Sequence, residues 1–353
     1  MIKQIHKRIK PIVAICCLMV CVMILSSCGI GHSQNSQTEA DLGNTVAEAQ
    51  ETAAGSDLAR KTQEPQADKE SRPDDMEAGG GGNNQDIILE NNAAAQPQII
   101  ETDWSEYFGG LYGAAVLYDP SASCYRIYNP ELADTRRSPC STFKIISSML
   151  ALENGIIDPQ DSTHTWSGER FWNENWNQDI TFQEAFRTSC VWYFREVIDE
   201  MGPEIVQDGL DKLMYGNCDI SDWEGRLNTN NNNRALTGFW IESSLNISPK
   251  EQTEVMERIF GPDSVCSQKT REELKQVMLV TEPEKTTLPI YGKTGMGKVG
   301  GIVVDAWFTG LVKKEEETIY FCVYLGQTED PNVSSTTARE IAIHLVEDYC
   351  NEK

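Results

Sequence analysis

The feature that most constrains this chain is the placement of strand-like segments at both ends of one apolar region, with helix-like segments between them. "GAAVLYD" (Gly113 to Asp119) and "SCYRIYN" (Ser123 to Asn129) have strand composition and are joined by the turn signal "PSA". "VVDAWFTGLVKKEEETIYFCVYLG" (Val303 to Gly326) predicts a hairpin with a polar tip at "KKEEE". Helical patterns cover Thr142 to Glu153, Thr181 to Met201, Pro203 to Leu213, Pro249 to Ile259 and Thr270 to Val280, and a last one runs from Thr336 to Asp348. Strands that bracket a helical middle predict an α+β fold, an α/β sandwich. Its antiparallel β-sheet is flanked by terminal helices and carries an inserted, mostly helical lobe. No internal repeat is present.

The residues ahead of this region are of another kind. A basic start, "MIKQIHKRIK", an apolar run, "PIVAICCLMVCVMIL", and then "SSCG" have the layout of a secretory signal. The run is short for a bilayer span, which needs about 20 residues. The ending "LSSC" resembles a bacterial lipobox, which implies that residues 1–27 are removed and that Cys28 is lipidated; an uncleaved anchor helix is the alternative. Either leaves the remainder outside the cytoplasmic membrane. Residues 28–98 are rich in Gln, Glu, Ala, Asp, Gly and Asn, and they lack the apolar surface that would offset ordering entropy. This predicts a disordered acidic tether, with the folded domain at 99–353.

Charge excludes one class of partner. Cleavage would remove four basic side chains and no acid, leaving 26 basic against 54 acidic and a net charge of −28, so nucleic acid is not expected. Of 11 cysteines, Cys16, Cys17, Cys21 and Cys28 belong to the signal. The other seven form no CxxC pair, so neither a disulfide framework nor a metal site is expected, and most read as small buried hydrophobes. The histidines are His6, His32, His164 and His344, too few to suggest histidine-based catalysis.

A nucleophile with another kind of base is visible in "SPCSTFKIISSML". Ser141 and Lys144 are three residues apart at a helix start, so the amine can approach the hydroxyl on one face. The unpaired amides of the first turn favour a developing oxyanion there. A serine hydroxyl needs a neighbouring base, and lysine can supply it. Taken alone, the pattern is weak evidence and better describes a serine cap followed by a solvated lysine. A second segment, "YGKTGMGKVGG" (Tyr291 to Gly301), sets Lys293, Thr294 and Gly295 at the entrance to the strand "VVDAWFTGL". A cation, a hydroxyl and a bare backbone edge together can grip a carboxylate.

S-x-x-K with K-T-G is the signature of serine β-lactamases and penicillin-binding proteins. "STFK", "SCV" (Ser189 to Val191), "YGN" (Tyr215 to Asn217), "FWIESSLNIS" and "KTG" together resemble a class D, oxacillinase-type serine β-lactamase from about Glu106 onward. The resemblance implies a penicillin-type β-lactam substrate, hydrolysed through a Ser141 acyl-enzyme. It also implies that Lys144 is carboxylated by carbon dioxide (from bicarbonate) to N6-carboxylysine, the general base. Capturing carbon dioxide requires a neutral amine, which burial favours. Val191, where relatives outside this class carry a polar Asn, suits that setting, and Trp240 matches a tryptophan whose indole N–H steadies the carbamate.

The same resemblance gives Ser189 the proton relay between the base, the leaving nitrogen and Lys293. It places the substrate carboxylate on Lys293, Thr294 and Arg339, and the oxyanion hole on the backbone N–H groups of Ser141 and Met296. Tyr215 and Asn217 would shape the site rather than react. The alternatives are a β-lactam sensor of the same fold that acylates and stalls, or a cell-wall transpeptidase. Sensors carry several membrane helices and a protease domain not visible in this sequence, and they typically lack the apolar residue at position 191.

Overall fold

In the computed structural model, residues 96–226, 233–280, 288–326 and 332–353 are described. The predicted signal, Cys28 and nearly all of the tether lie outside them, as does most of the Asn-rich run in "NTNNNNR".

Six strands form one sheet: β1 (Gln98–Glu101), β2 (Gly113–Asp119), β3 (Cys124–Tyr128), β4 (Ile290–Val299), β5 (Ile302–Lys314) and β6 (Glu317–Gly326). Their spatial order is β1-β3-β2-β6-β5-β4, so the two sequence ends of the domain meet at the sheet centre, where β2 pairs with β6. Every pairing is antiparallel except that of β1 with β3, which is parallel, so the sheet is mixed rather than purely antiparallel. The tight hairpin between β5 and β6 confirms the predicted polar tip at Glu315 and Glu316.

The helices are α1 (Ser105–Phe108), α2 (Pro130–Ala133), α3 (Lys144–Glu153), α4 (Phe182–Arg187), α5 (Val191–Leu213), α6 (Pro249–Phe260), α7 (Gln268–Met278) and α8 (Ser335–Glu352). Side chains alternate between the two faces of the sheet. Ala115 and Leu117 of β2, Ala306 and Phe308 of β5, and Phe321 and Val323 of β6 pack with α8 and Phe108 of α1. Val116 and Tyr118, Trp307 and Leu311, and Tyr320 and Cys322 pack on the other side with α3, α5, α6 and α7. The near-continuous apolar runs of β2 up to Tyr118 and of β6 from Ile319 follow from burial on both faces.

Two further expectations are corrected. The helix predicted over Thr181 to Met201 is broken: α4 ends at Arg187, and Ser189 lies between α4 and α5 with φ 55°. The next break, expected between Met201 and Pro203, is borne out: Gly202 leaves the helical region with φ 74° and ψ 168°, so α5 is two helices joined at a kink. The Lys-Thr-Gly segment lies inside a strand of its own, β4, rather than at the entrance to the next one. The break at Ser189 and the edge position of β4 create the site.

Candidate active site

The site is assembled at the outer edge of β4, beyond the point where Leu279 and Val280 bridge to its first residues. Residues Cys140–Phe143 form a 3-10 turn that leads directly into α3. Cys140 has φ 48°, and its amide donates to the Trp240 carbonyl at 2.9 Å. The Trp307 indole donates to the Ser138 carbonyl at 3.0 Å, and the Thr142 hydroxyl, itself a donor to the Pro139 carbonyl, accepts from Gln252. A left-handed non-glycine residue needs such surrounding constraint, and here it turns the following hydroxyl, Ser141, toward the cleft.

Lys144 opens α3 on the same side. Its Nζ stands 3.0 Å from the Ser141 Oγ. The side chain is 1% exposed and lies over the Phe194 ring at 5.3 Å. Burial lowers its pKa to about 8, against weaker opposing influences from Cys190 and Cys140. Desolvation thus makes a neutral amine accessible near physiological pH.

Across the cleft, the break between α4 and α5 presents Ser189. Its Oγ is 2.5 Å from the Nζ of Lys293 on β4, which also reaches the Thr294 carbonyl at 3.0 Å and the Thr294 hydroxyl at 3.3 Å. Lys293 is buried, and desolvation, followed by the charges of Lys144 and Arg339, holds its pKa well below the usual lysine range. Two lysines and two serines therefore form two amine–hydroxyl pairs. Arg339, half-buried on α8, lines a cavity with Lys293 and Thr294.

The register of β4 against β5 explains the spacing of its residues. Lys293, Gly295 and Gly297 pair with Thr309, Trp307 and Asp305, on the lobe side of the sheet, while Thr294 and Met296 belong to the other face. Met296 is 41% exposed, so its backbone rather than its side chain borders the turn. A Cβ at Gly295 would stand 2.8 Å from the Pro139 carbonyl oxygen, and one at Gly297 would stand 2.9 Å from the Cys140 Sγ. Only glycines let the strand approach the serine turn this closely.

The remaining predicted residues support this arrangement. Trp240 is fully buried and stacks on Phe143, and Arg195 lies over its ring at 5.4 Å. Tyr215 packs edge-on against Phe143. Asn217 is exposed and staples the loop at 244–246, donating to the Ser244 carbonyl at 2.8 Å and accepting from the Asn246 amide at 2.9 Å. Val191 is half-buried in the first turn of α5. Cys140 and Cys190 are buried, and desolvation raises both thiols, Cys190 to about 11. Gly297, Glu242 and Arg195 were not singled out from the sequence; the alternating glycines of "TGMGK" were the available signal for the first.

Comparison with known proteins agrees with this geometry. The family model described as penicillin binding protein transpeptidase domain matches residues 113–347. Regulatory protein BlaR1 of Bacillus licheniformis is 30% identical over 247 residues, which cover 69% of this chain and 38% of BlaR1. β-Lactamase OXA-1 of Escherichia coli is 30% identical over 251 residues, covering 70% of this chain and 88% of the enzyme. The chain thus matches well under half of BlaR1 but most of OXA-1. Among solved structures, the C-terminal domain of the B. licheniformis BlaR penicillin-receptor superposes with a TM-score of 0.62 at 29% identity, covering 71% of this chain and 96% of that domain. A class D β-lactamase from Bacillus subtilis gives a TM-score of 0.60 at 26% identity, covering 70% and 95%. The chain therefore belongs to the penicillin-binding-protein transpeptidase family, in the branch that contains the class D β-lactamases together with BlaR-type receptors.

Proposed function

We propose that this protein hydrolyses penicillin-type β-lactams through an acyl-enzyme on Ser141, conferring β-lactam resistance. The observation that carries this reading is the buried Lys144 amine, with its pKa lowered to about 8, at 3.0 Å from the Ser141 Oγ. The base takes the hydroxyl proton, and Oγ attacks the lactam carbonyl carbon. The backbone N–H groups of Ser141 and Met296 receive the oxyanion, each donor in such a hole being worth about 3–4 kcal/mol. Ser189 and Lys293, 2.5 Å apart, carry a proton to the leaving nitrogen. Thr294 and Arg339 hold the substrate carboxylate, the arginine in fork geometry.

The surroundings of Lys144 suit carbon dioxide as a modifier. The amine is desolvated, Phe194 offers apolar surface beside it, and the resemblance to class D enzymes assigns the half-buried Val191 to the same setting. Carboxylated, the Lys144 side chain would supply an anionic oxygen base for Ser141 and for the deacylating water. Trp240, through its indole donor, is the residue assigned to steady it.

A penicillin receptor that acylates without turnover is the second reading, favoured by the likeness to the BlaR domain. Nitrocefin hydrolysis by the purified protein, with and without bicarbonate, separates the two. Turnover that rises with bicarbonate supports the enzyme, whereas a burst of one equivalent at every bicarbonate level supports the receptor. We further propose an extracytoplasmic location through a lipid on Cys28. Cys28→Ala should release the protein from membranes, and continued retention would refute lipidation.

A further inference from the structure

The cavity beside the site has a volume of about 220 Å³ and is lined by Lys293, Thr294 and Arg339 together with Arg187, Met278 and Leu279. Ser141, Lys144 and Ser189 do not line it, so it extends from the carboxylate grip away from the reacting centre. A substituent that enters it must therefore be attached to the ring that bears the carboxylate.

Charge matching leaves one cation over. A single ring carboxylate is balanced by Arg339, and Lys293 is held toward its neutral form by burial. Arg187, at the end of α4, is exposed, and no ion pair with a described residue engages it. Arg136, Arg170, Arg195, Arg226, Arg234 and Arg258 each pair with a carboxylate, and Arg126, Arg137 and Arg271, which like Arg187 form no ion pair among the described residues, do not line this cavity. In a chain with 54 acidic side chains, a cavity-lining arginine with no acidic partner among the described residues leaves its charge available to a ligand. Its planar fork suits a carboxylate or sulfonate.

We propose that Arg187 forms a second anion position and that this site selects β-lactams whose carboxylate-bearing ring carries a further negative group. The inference rests on the β-lactam reading above. The chain's net charge of −24 repels dianions at long range, so any preference for one must arise locally.

Cefonicid and cefamandole share the same acyl side chain and differ at the ring substituent, where cefonicid carries a sulfonate. Each would be tested as a competitor of Ser141 labelling by a fluorescent penicillin, at low and moderate salt. The expected result is that cefonicid competes at least fivefold better than cefamandole in the native protein. Arg187→Gln should abolish that advantage and Arg187→Lys should retain part of it. No advantage in the native protein, or an advantage that survives in Arg187→Gln, would overturn the proposal. Absence of any penicillin labelling would instead count against the β-lactam reading itself.

Discussion

Glu242, on the loop after Trp240, accepts a hydrogen bond from the Lys298 amide of β4 at 2.6 Å. The same residue donates its own amide to the Ser138 hydroxyl at 2.8 Å, and that hydroxyl donates to the Trp240 carbonyl. One loop therefore ties down both the segment before Ser141 and the edge strand opposite it. The contact lies where the register of β4 and β5 shifts, between Gly297 and Lys298. Glu242 adopts φ 51°, an uncommon conformation for this residue type.

Removing the carboxylate should loosen the β4 wall of the oxyanion hole, while the backbone contact from the Glu242 amide to Ser138 remains. A hydrogen bond to a charged group contributes about 1.5–3 kcal/mol. Glu242→Ala is expected to lower Tm by several degrees and to slow Ser141 acylation about tenfold, with Glu242→Gln, which keeps an acceptor, much milder. Thermal denaturation and stopped-flow acylation measure the two effects. Equal acylation rates in all three proteins would show that the loop does not position the strand.

The glycines of β4 make a prediction of another form. Gly297→Ala places a methyl group against the Cys140 Sγ, a side-chain atom, whereas Gly295→Ala places one against the Pro139 carbonyl, a backbone atom. Both variants should acylate at least tenfold more slowly than the native protein. Adding Cys140→Ala should restore much of the rate to Gly297→Ala and none to Gly295→Ala, because only the first obstacle can be deleted. Acylation rates of the singles and doubles check this, and additive losses in the Gly297 pair would contradict the packing.

These contrasts indicate what the sequence could convey. The period of the strands and helices was legible, because burial on one or two faces leaves a pattern in apolar residues. Ser141 with Lys144, and Lys293 with Thr294, were legible as short motifs. The break at Ser189 was not, since "TFQEAFRTSCVWYFREV" continues a helical pattern while the backbone turns to a positive φ at Ser189. Glu242 was equally hidden, because its partner is a backbone amide 56 residues away and backbone groups carry no signature in sequence. The parallel pairing of β1 was missed because "QIIE" is too short to show a period.

Lys144 has a folded pKa of about 8, below its ordinary 10.5. The unfolded chain therefore binds more protons between about pH 8 and 10.5, and stability from this group rises with pH across that window. Acylation in bicarbonate-free buffer should climb as pH passes through about 8. Val191→Asn places a polar group beside Cys190, which lies within electrostatic reach of Lys144. It should lower turnover at ambient carbon dioxide and demand more bicarbonate for half-maximal rate. Steady-state nitrocefin kinetics across pH and bicarbonate test both statements, and an unaltered bicarbonate response would remove Val191 from the mechanism.

Asp305, paired with Gly297 across the sheet, supplies the last prediction. It is 6% exposed, and burial raises its pKa to about 6, although the Tyr324 hydroxyl donates to it at 2.8 Å and Arg137 attracts its ionised form. The native state thus binds the extra proton between pH 3.8 and about 6, so stability from this group falls as pH rises through that window. The full change is on the order of 3 kcal/mol. Asp305→Asn keeps an acceptor for Tyr324 and cannot ionise, so it should flatten that part of the stability profile. Urea midpoints at pH 4 and pH 7 give the comparison: the native protein should lose stability between them relative to the variant. Parallel profiles would mean that the buried carboxyl is already ionised at pH 4, with Arg137 and Tyr324 together outweighing its desolvation.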